Sequence, residues 1–101
     1  MRMIYISCNV SMLNEIVSLL KKCEVKSYQI VEQASSMNKI GDPRLNNAVW
    51  PGYNSLFFIN LETEDTYKSL IAELKNYNKT VYMPDEKITV SAWKTDEFFW
   101  E

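Results

Sequence analysis

The sequence predicts an α+β domain of 101 residues in which strands and helices follow one another in the order βαββαβ. Two periodic patterns and one gap between them predict this class. Short apolar, β-rich runs indicate strands, and two longer segments carry apolar residues at the spacing of an amphipathic helix. An aperiodic segment over residues 37–54 lies where the second and third strands would otherwise meet in a hairpin. We expect residues 1–101 to form a single domain, because this length suits one domain.

The first half of the chain predicts a strand, a helix and a strand. Residues 3–8 (MIYISC) are apolar and β-rich, as in a strand. A helix is predicted over about residues 11–23, with Asn9 or Ser11 as its cap. Its apolar positions recur at helical spacing: Leu13, Ile16, Val17, Leu20 and Cys23. A second strand is predicted over residues 25–33.

The second half predicts the same elements again. Residues 55–61 (SLFFINL) indicate the third strand. Thr63 suits the N-cap of a second helix, with Glu64 and Asp65 in its first turn. The buried stripe of that helix is predicted at Tyr67, Leu70, Ile71, Leu74 and Tyr77. A polar stretch then leads to the last strand over residues 87–93.

This order is the ferredoxin-like arrangement, an antiparallel sheet with two helices on one face. If the other face met water, the strands would alternate apolar and polar residues. Residues 3–6 and 56–59 are instead apolar throughout, and Trp93 falls on the opposite face from Val90. Because two helices cover only one face, we expect a second copy of the chain to cover the other, with a heteromeric partner as the alternative.

Composition excludes several classes of partner. The net charge is −2, with 47% hydrophobic and 24% charged residues, and this gives no reason to expect nucleic acid or an anionic membrane as partner. No apolar run approaches the ~20 residues of a bilayer-spanning helix. The start of the chain, MRMIYIS, leads directly into strand-like sequence without a separate leader segment. We therefore expect a cytoplasmic protein.

The two cysteines are expected to be free thiols. Cys8 ends the first predicted strand and Cys23 lies near the end of the following helix, which would be about 18 Å long. A disulfide needs Cα atoms within about 7 Å of each other, so the two are too far apart. The sequence contains no histidine, the commonest metal ligand and the usual acid–base group near neutral pH.

The long segment over residues 37–54 is the main candidate for function, because irregular connections of this length are uncommon in compact domains. One interpretation is that Trp50 and Tyr53 hold the segment against the sheet or a neighbouring subunit. The other is that the segment lines a pocket for an anionic or planar ligand, where the donors of Arg44 suit carboxylates and phosphates. The predicted ligand-binding residues are Lys39, Arg44, Trp50, Tyr53, Asn54 and Lys87.

With these elements in place, the chain resembles the PII-like superfamily of trimeric signalling proteins. The residues that carry the resemblance are Glu32 late in the second strand, the GDPR and WPGYN motifs of the long segment, and the run Asp85-Glu86-Lys87-Ile88. The resemblance implies a homotrimer, a loop between the second and third strands that contacts target proteins, and ligand binding in clefts between subunits. It therefore implies a regulatory protein that binds a small molecule or a partner protein.

The resemblance also places a nucleotide-binding segment before the last strand, where PII proteins carry a GDGKI motif. Asp85, Lys87 and Ile88 match that motif, but Pro84 and Glu86 stand at its two glycines. Proline has no N–H to offer a phosphate, and the charge of Glu86 repels a triphosphate. Lys39 stands near the place of the family's 2-oxoglutarate-binding glutamine. The sequence therefore argues against ATP and leaves the cofactor unknown.

Two other functional classes are weighed against this one. A CutA-like metal-handling trimer would share the architecture, but without histidine the cysteines and methionines show no ligand spacing. An enzyme would need a nucleophile–base pair or a metal triad, and neither can be identified, so no catalysis is expected. The aromatic tail at Phe98, Phe99 and Trp100 is expected to pack on a neighbouring subunit or to dock on a partner.

Overall fold

The computed structural model describes residues 1–38 and 42–100 and confirms the predicted order of elements. The strands are β1 (Arg2–Asn9), β2 (Tyr28–Ala34), β3 (Asn54–Leu61) and β4 (Thr89–Lys94), and the helices are α1 (Leu13–Lys22) and α2 (Glu64–Thr80). Short 3-10 turns at Val10–Met12 and Pro84–Glu86 precede α1 and β4.

The four strands form one antiparallel sheet in the order β2-β3-β1-β4. Tyr5 in β1 lies opposite Phe58 in β3 and Ser91 in β4, and Tyr28 in β2 lies opposite Ile59 in β3. Each helix therefore connects two strands that have a third strand between them. This is the ferredoxin-like topology that the sequence predicts.

The core lies between the two helices and one face of the sheet. Because side chains alternate along a strand, Ile4, Ile6, Phe57 and Ile59 share that face, and each is fully buried. Ile16 and Leu20 of α1 and Leu70 and Leu74 of α2 pack in the same cluster. The buried stripes of both helices were thus correctly predicted from their periodicity.

Two strands begin later than predicted, while the other strand ends lie within one residue of the predicted ones. The predicted second strand begins at Val25, but β2 begins at Tyr28 because Glu24 adopts a left-handed conformation (φ 58°) and Val25 turns into the core. The predicted fourth strand begins at Lys87, but the turn at Pro84–Glu86 delays β4 until Thr89. Val25 and Ile88 are apolar because they pack in the core, and neither pairs with another strand.

The start of α2 follows its sequence signal, whereas α1 begins only at Leu13, after the 3-10 turn that the predicted cap Asn9 holds. The Thr63 hydroxyl accepts a hydrogen bond from the Thr66 N–H and caps α2, as predicted. Glu64 in the first turn of α2 pairs with Arg2 at 2.8 Å, which ties β1 to the start of that helix.

Within the described ranges, no helix is long and apolar enough to cross a membrane. Cys8 and Cys23 are both free.

The outer face of the sheet, on the side away from the helices, is largely apolar. Register places Met3, Tyr5, Leu56, Phe58 and Trp93 on this face. The rings of Tyr5 and Phe58 stand 5.5 Å apart, and Trp93 is 46% exposed. In the tail, Phe99 and Trp100 are more exposed still. The expected apolar outer face is therefore present, and the copy that would cover it stays a prediction.

We expect the outer face to mediate self-association, with a homotrimer as the expected assembly. Phe58→Lys places a charge at its centre and should convert the assembly to monomers, because the buried charge would find no partner. Sedimentation velocity at micromolar concentration measures this. Ala72→Lys, on the exposed side of α2, is the control and should leave the assembly intact. A well-behaved wild-type monomer at that concentration would contradict the expectation.

Candidate functional site

The candidate site is a polar cavity of about 240 Å³ at the end of the sheet where β1 ends and β3 and β4 begin. It opens on the outer face of the sheet, because Tyr5, Ser7, Asn54 and Thr89 all lie on that face. We call it the polar cavity. The remaining lining residues are Cys8, Ser36, Met37, Asn38, Arg44, Pro84, Asp85 and Lys87.

The segment between β2 and β3 forms one wall of the polar cavity. Ser36 and Arg44 exchange two backbone hydrogen bonds of 2.7 Å, so the chain returns to the sheet at Arg44. The Asn38 side chain donates to the Asp42 carbonyl at 2.8 Å and accepts from the Ser36 hydroxyl at 2.9 Å. These contacts give the base of the segment a defined shape beside the start of β3.

Arg44 is the most buried charged group of the site, at 9% exposure. Its Nη1 donates to Asn54 Oδ1 at 2.7 Å, and its Nη2 donates to the Asp85 carbonyl oxygen at 2.9 Å. The Asp85 carboxylate lies 3.9 Å from Nη2. One side chain thus links the segment between β2 and β3, the first residue of β3 and the turn before β4.

Asn54 completes the network and is 2% exposed. While its Oδ1 accepts from Arg44, its Nδ2 donates to the Ser7 hydroxyl at 2.9 Å and to Asn38 Oδ1 at 3.0 Å. A buried carboxamide must satisfy both its donors and its acceptor, and here every one is used. Asn54 therefore fixes the position of Arg44 relative to β1.

Lys87 supplies the second cation of the cavity. Ile88 is 4% exposed and points into the core, so the alternation of an extended chain directs Lys87 and Thr89 towards the polar cavity. Among the described residues that line the cavity, Arg44 and Lys87 face a single carboxylate, that of Asp85. The cavity therefore carries a net positive charge and suits a small anion.

Solved structures of PII-like proteins share this arrangement of strands and helices. A structure of CPII from Thiomonas intermedia K12, a nitrogen regulatory PII-like protein bound to ADP, AMP and bicarbonate, matches with a TM-score of 0.69 at 12% identity, over 95% of this chain and 88% of CPII. This chain has the PII-like fold. A CPII structure bound to ADP and bicarbonate matches with a TM-score of 0.67 at 14% identity over the same shares of the two chains.

A PII-like signalling protein from Thermus thermophilus matches as well, with a TM-score of 0.63 at 16% identity, over 91% of this chain and 83% of that one. No family model matches the sequence, and no curated protein matches it. The expected resemblance to PII-like proteins is thus confirmed in the fold, at sequence identities that show the fold alone.

The segment before β4, where the resemblance places a nucleotide-binding motif, has few free amides. Between Met83 and Ile88, three successive amides are already used: Glu86 N–H donates to the Met83 carbonyl, Lys87 N–H to the Pro84 carbonyl and Ile88 N–H to Asn78 Oδ1. A phosphate cradle needs such amides free. These amides are therefore not available to cradle a phosphate, and the expectation against ATP stays a prediction.

The structure brings three of the six predicted ligand residues together. Arg44, Asn54 and Lys87 line the polar cavity. Trp50 and Tyr53 do not line it: the backbone of residues 45–50 folds on itself, with Leu45 and Asn47 both donating to the Trp50 carbonyl, and the Tyr53 carbonyl accepts from Val10. Lys39 lies outside the described residues. The role of all six in binding stays a prediction.

Sequence analysis missed Ser7, Asn38 and Asp85 as parts of the site. Ser7 carried a signal, because it is the one serine in the apolar run of the first strand. Asp85 was noted only as part of a family motif, although its carbonyl oxygen holds Arg44. Forty-one positions separate Asp85 from Arg44, and no local spacing rule reaches across such a distance.

Cys8 lies under the polar cavity as a buried neutral thiol. Burial raises the pKa of Cys8 to about 11, against smaller opposing effects of the Ser55 backbone N–H and the Arg44 charge. A thiol with this pKa is a poor nucleophile at neutral pH.

Among the described residues, no group of three or more His, Cys, Asp or Glu side chains is arranged to hold a metal ion.

We expect Asn54→Ala to lower the free energy of unfolding by about 2–3 kcal/mol, because it removes the partner of Nη1 of the buried Arg44 and the hydrogen bond to the Ser7 hydroxyl. Urea denaturation at fixed protein concentration measures this. Asn14→Ala, an exposed asparagine of α1, should stay within about 0.5 kcal/mol of wild type. Equal effects of the two substitutions would show that the network contributes no stability.

We expect stability to fall as the pH rises from 9 to 11. The pKa of Cys8 is about 11 in the folded protein and 9.0 as its reference value, so the folded state resists ionisation and loses its advantage across that window. Burial also raises the pKa of Tyr77, from 10.0 to about 12, which extends the loss above pH 10. Urea midpoints from pH 7 to 11 test this. Cys8→Ala should flatten the part of the curve near pH 9–10, and an unchanged curve would contradict the assignment.

Proposed function

We propose that the protein is a PII-like regulatory protein that binds a small anion in the polar cavity and signals through residues 37–54 and the clefts between copies. The observation that carries this proposal is the position of Arg44. Its buried guanidinium joins residues 37–54, which we call the signalling segment, to the sheet beside Lys87. The proposal keeps the expectation of a cytoplasmic, non-catalytic protein.

The charge of the polar cavity favours an anion. Arg44 uses one donor of Nη1 and one of Nη2 for Asn54 and Asp85, and a guanidinium has five donors in all. The Asp85 carboxylate, 3.9 Å away, offsets only part of the charge of Arg44 and Lys87. An anion that enters beside Thr89 would therefore gain attraction from both cations.

The size and chemistry of the cavity favour a compact oxyanion over a nucleoside triphosphate. The PII-like protein CPII has been solved with ADP and bicarbonate bound. Here the amides of Glu86, Lys87 and Ile88 are committed to internal hydrogen bonds, which weakens any phosphate site at this turn. Bicarbonate, which is planar and small, suits a cavity of about 240 Å³ with one guanidinium and one ammonium.

The route of the signal follows from the contacts of the signalling segment. Its base is held by Ser36, Asn38 and Arg44, so a ligand that engages Arg44 acts on the anchor of the whole segment. The cavity opens on the apolar outer face, where a second copy is expected. A homotrimer would therefore place the ligand beside a cleft between copies.

The metal-handling alternative has less support. A CutA-like role requires a set of metal ligands. The described residues contain no cluster of three or more His, Cys, Asp or Glu side chains that could hold a metal ion. Copper or zinc titration followed by native mass spectrometry separates the two functions. Stoichiometric metal retention would favour the metal-handling function over anion sensing.

We expect wild-type protein to bind bicarbonate, and Lys87→Ala to weaken this binding at least tenfold, because one of the two cations is lost. Isothermal titration at constant ionic strength, with chloride as the reference anion, measures the affinity. Lys75→Ala, at an exposed position of α2, removes the same charge and should change the affinity less than twofold.

Two outcomes would contradict the proposal. Absence of bicarbonate binding by the wild type would reject this ligand class. Equal affinities of Lys87→Ala and Lys75→Ala would place the anion outside the polar cavity. ADP is titrated in parallel, and tight ADP binding that depends on Lys87 would show that the turn before β4 accepts phosphates after all.

A further inference from the structure

The segment that carries Lys87 is ordered before the ladder of β4 begins. In that ladder the first paired residue is Thr89, which lies opposite Ser7 of β1. Ile88 precedes it, yet both of its backbone groups are hydrogen bonded. The partner is a side chain of α2 and not a strand.

That partner is the carboxamide of Asn78, in the last turns of α2. Its Nδ2 donates to the Ile88 carbonyl at 2.9 Å, and its Oδ1 accepts from the Ile88 N–H at 2.8 Å. A carboxamide with this pair of bonds takes the place of the peptide group of a neighbouring strand. One residue earlier in α2, the Tyr77 hydroxyl donates to the Glu86 carbonyl at 3.0 Å.

These contacts fix the direction of Lys87. With the backbone held at Glu86 and at Ile88, and with Ile88 buried in the core, the residue between them must point to the opposite side. That side is the polar cavity. Without the carboxamide, nothing in the β4 ladder would set the orientation of residues 87 and 88, because the ladder starts after them.

We infer that Asn78 is a positioning residue for the polar cavity, and that it sets anion affinity by holding Lys87 towards the ligand while making no contact with the ligand itself. This inference rests on the proposed function, since it concerns the same site. It also links α2 to the cavity, because the last turns of this helix supply the contact.

The test compares four proteins by bicarbonate titration. Asn78→Asp keeps the acceptor for the Ile88 N–H and loses the donor to the Ile88 carbonyl, and Asn78→Ser loses the carboxamide without adding charge. We expect each to weaken bicarbonate binding about tenfold or more, because Asn78→Asp loses one of the two hydrogen bonds to Ile88 and Asn78→Ser loses the carboxamide that makes both. Asn76→Asp, exposed on the same helix, adds the same charge as Asn78→Asp and should change the affinity less than twofold.

A double-substitution cycle separates positioning from general weakening of the fold. If Asn78 acts through Lys87, then Asn78→Ser combined with Lys87→Ala should bind no more weakly than Lys87→Ala alone. Additive losses, or an unchanged affinity in both Asn78 variants, would overturn the inference while leaving anion binding by the wild type intact. Absence of wild-type binding would overturn the proposed function and this inference together.

Discussion

The polar cavity depends on how the charge of Arg44 is satisfied. A guanidinium that is 9% exposed loses most of its hydration, which costs several kcal/mol unless protein groups replace the water. Asn54 and the Asp85 carbonyl provide those groups, and Asn54 in turn requires Ser7 and Asn38. Pairing the charge of Arg44 therefore constrains four segments of the chain. The base of the segment between β2 and β3 is defined because the charge beneath it must be paired.

Much of the fold could be predicted from the sequence, because burial leaves a periodic trace. The stripe through Leu70 and Leu74 identified α2, and the run at residues 55–61 identified β3. The start of β2 was wrong because Val25 is apolar for packing and not for strand pairing, and apolar character alone does not separate the two. The site was only partly predictable: Arg44 and Lys87 stand out by charge, whereas Asp85, the partner of Arg44, lies 41 positions along the chain from it. Trp50 is predicted as a ligand-binding residue because it is an aromatic residue of the long segment. Local turn contacts keep the backbone beside it away from the cavity.

The turn before β4 keeps its shape through its own backbone hydrogen bonds. Pro84 cannot donate a hydrogen bond, and the amides of Glu86 and Lys87 close the turn on itself. Both amides are thus used to hold the turn in place. What remains directed at the cavity is the carbonyl of Asp85, which holds Arg44, and the side chain of Lys87. At this turn the polar cavity is therefore lined by side-chain cations and not by free backbone amides.

The same turn is held from two sides, and this bears on how the site responds. Arg44 reaches it from the segment between β2 and β3, and Tyr77 and Asn78 reach it from α2. Under the proposed function, an anion in the polar cavity would contact the donors of Arg44 that Asn54 and the Asp85 carbonyl leave free. The contacts of Tyr77 and Asn78 lie on the other side of the turn and would keep Lys87 attached to α2. Only the attachment through Arg44 carries a charge, so only that side of the turn would respond directly to an anion.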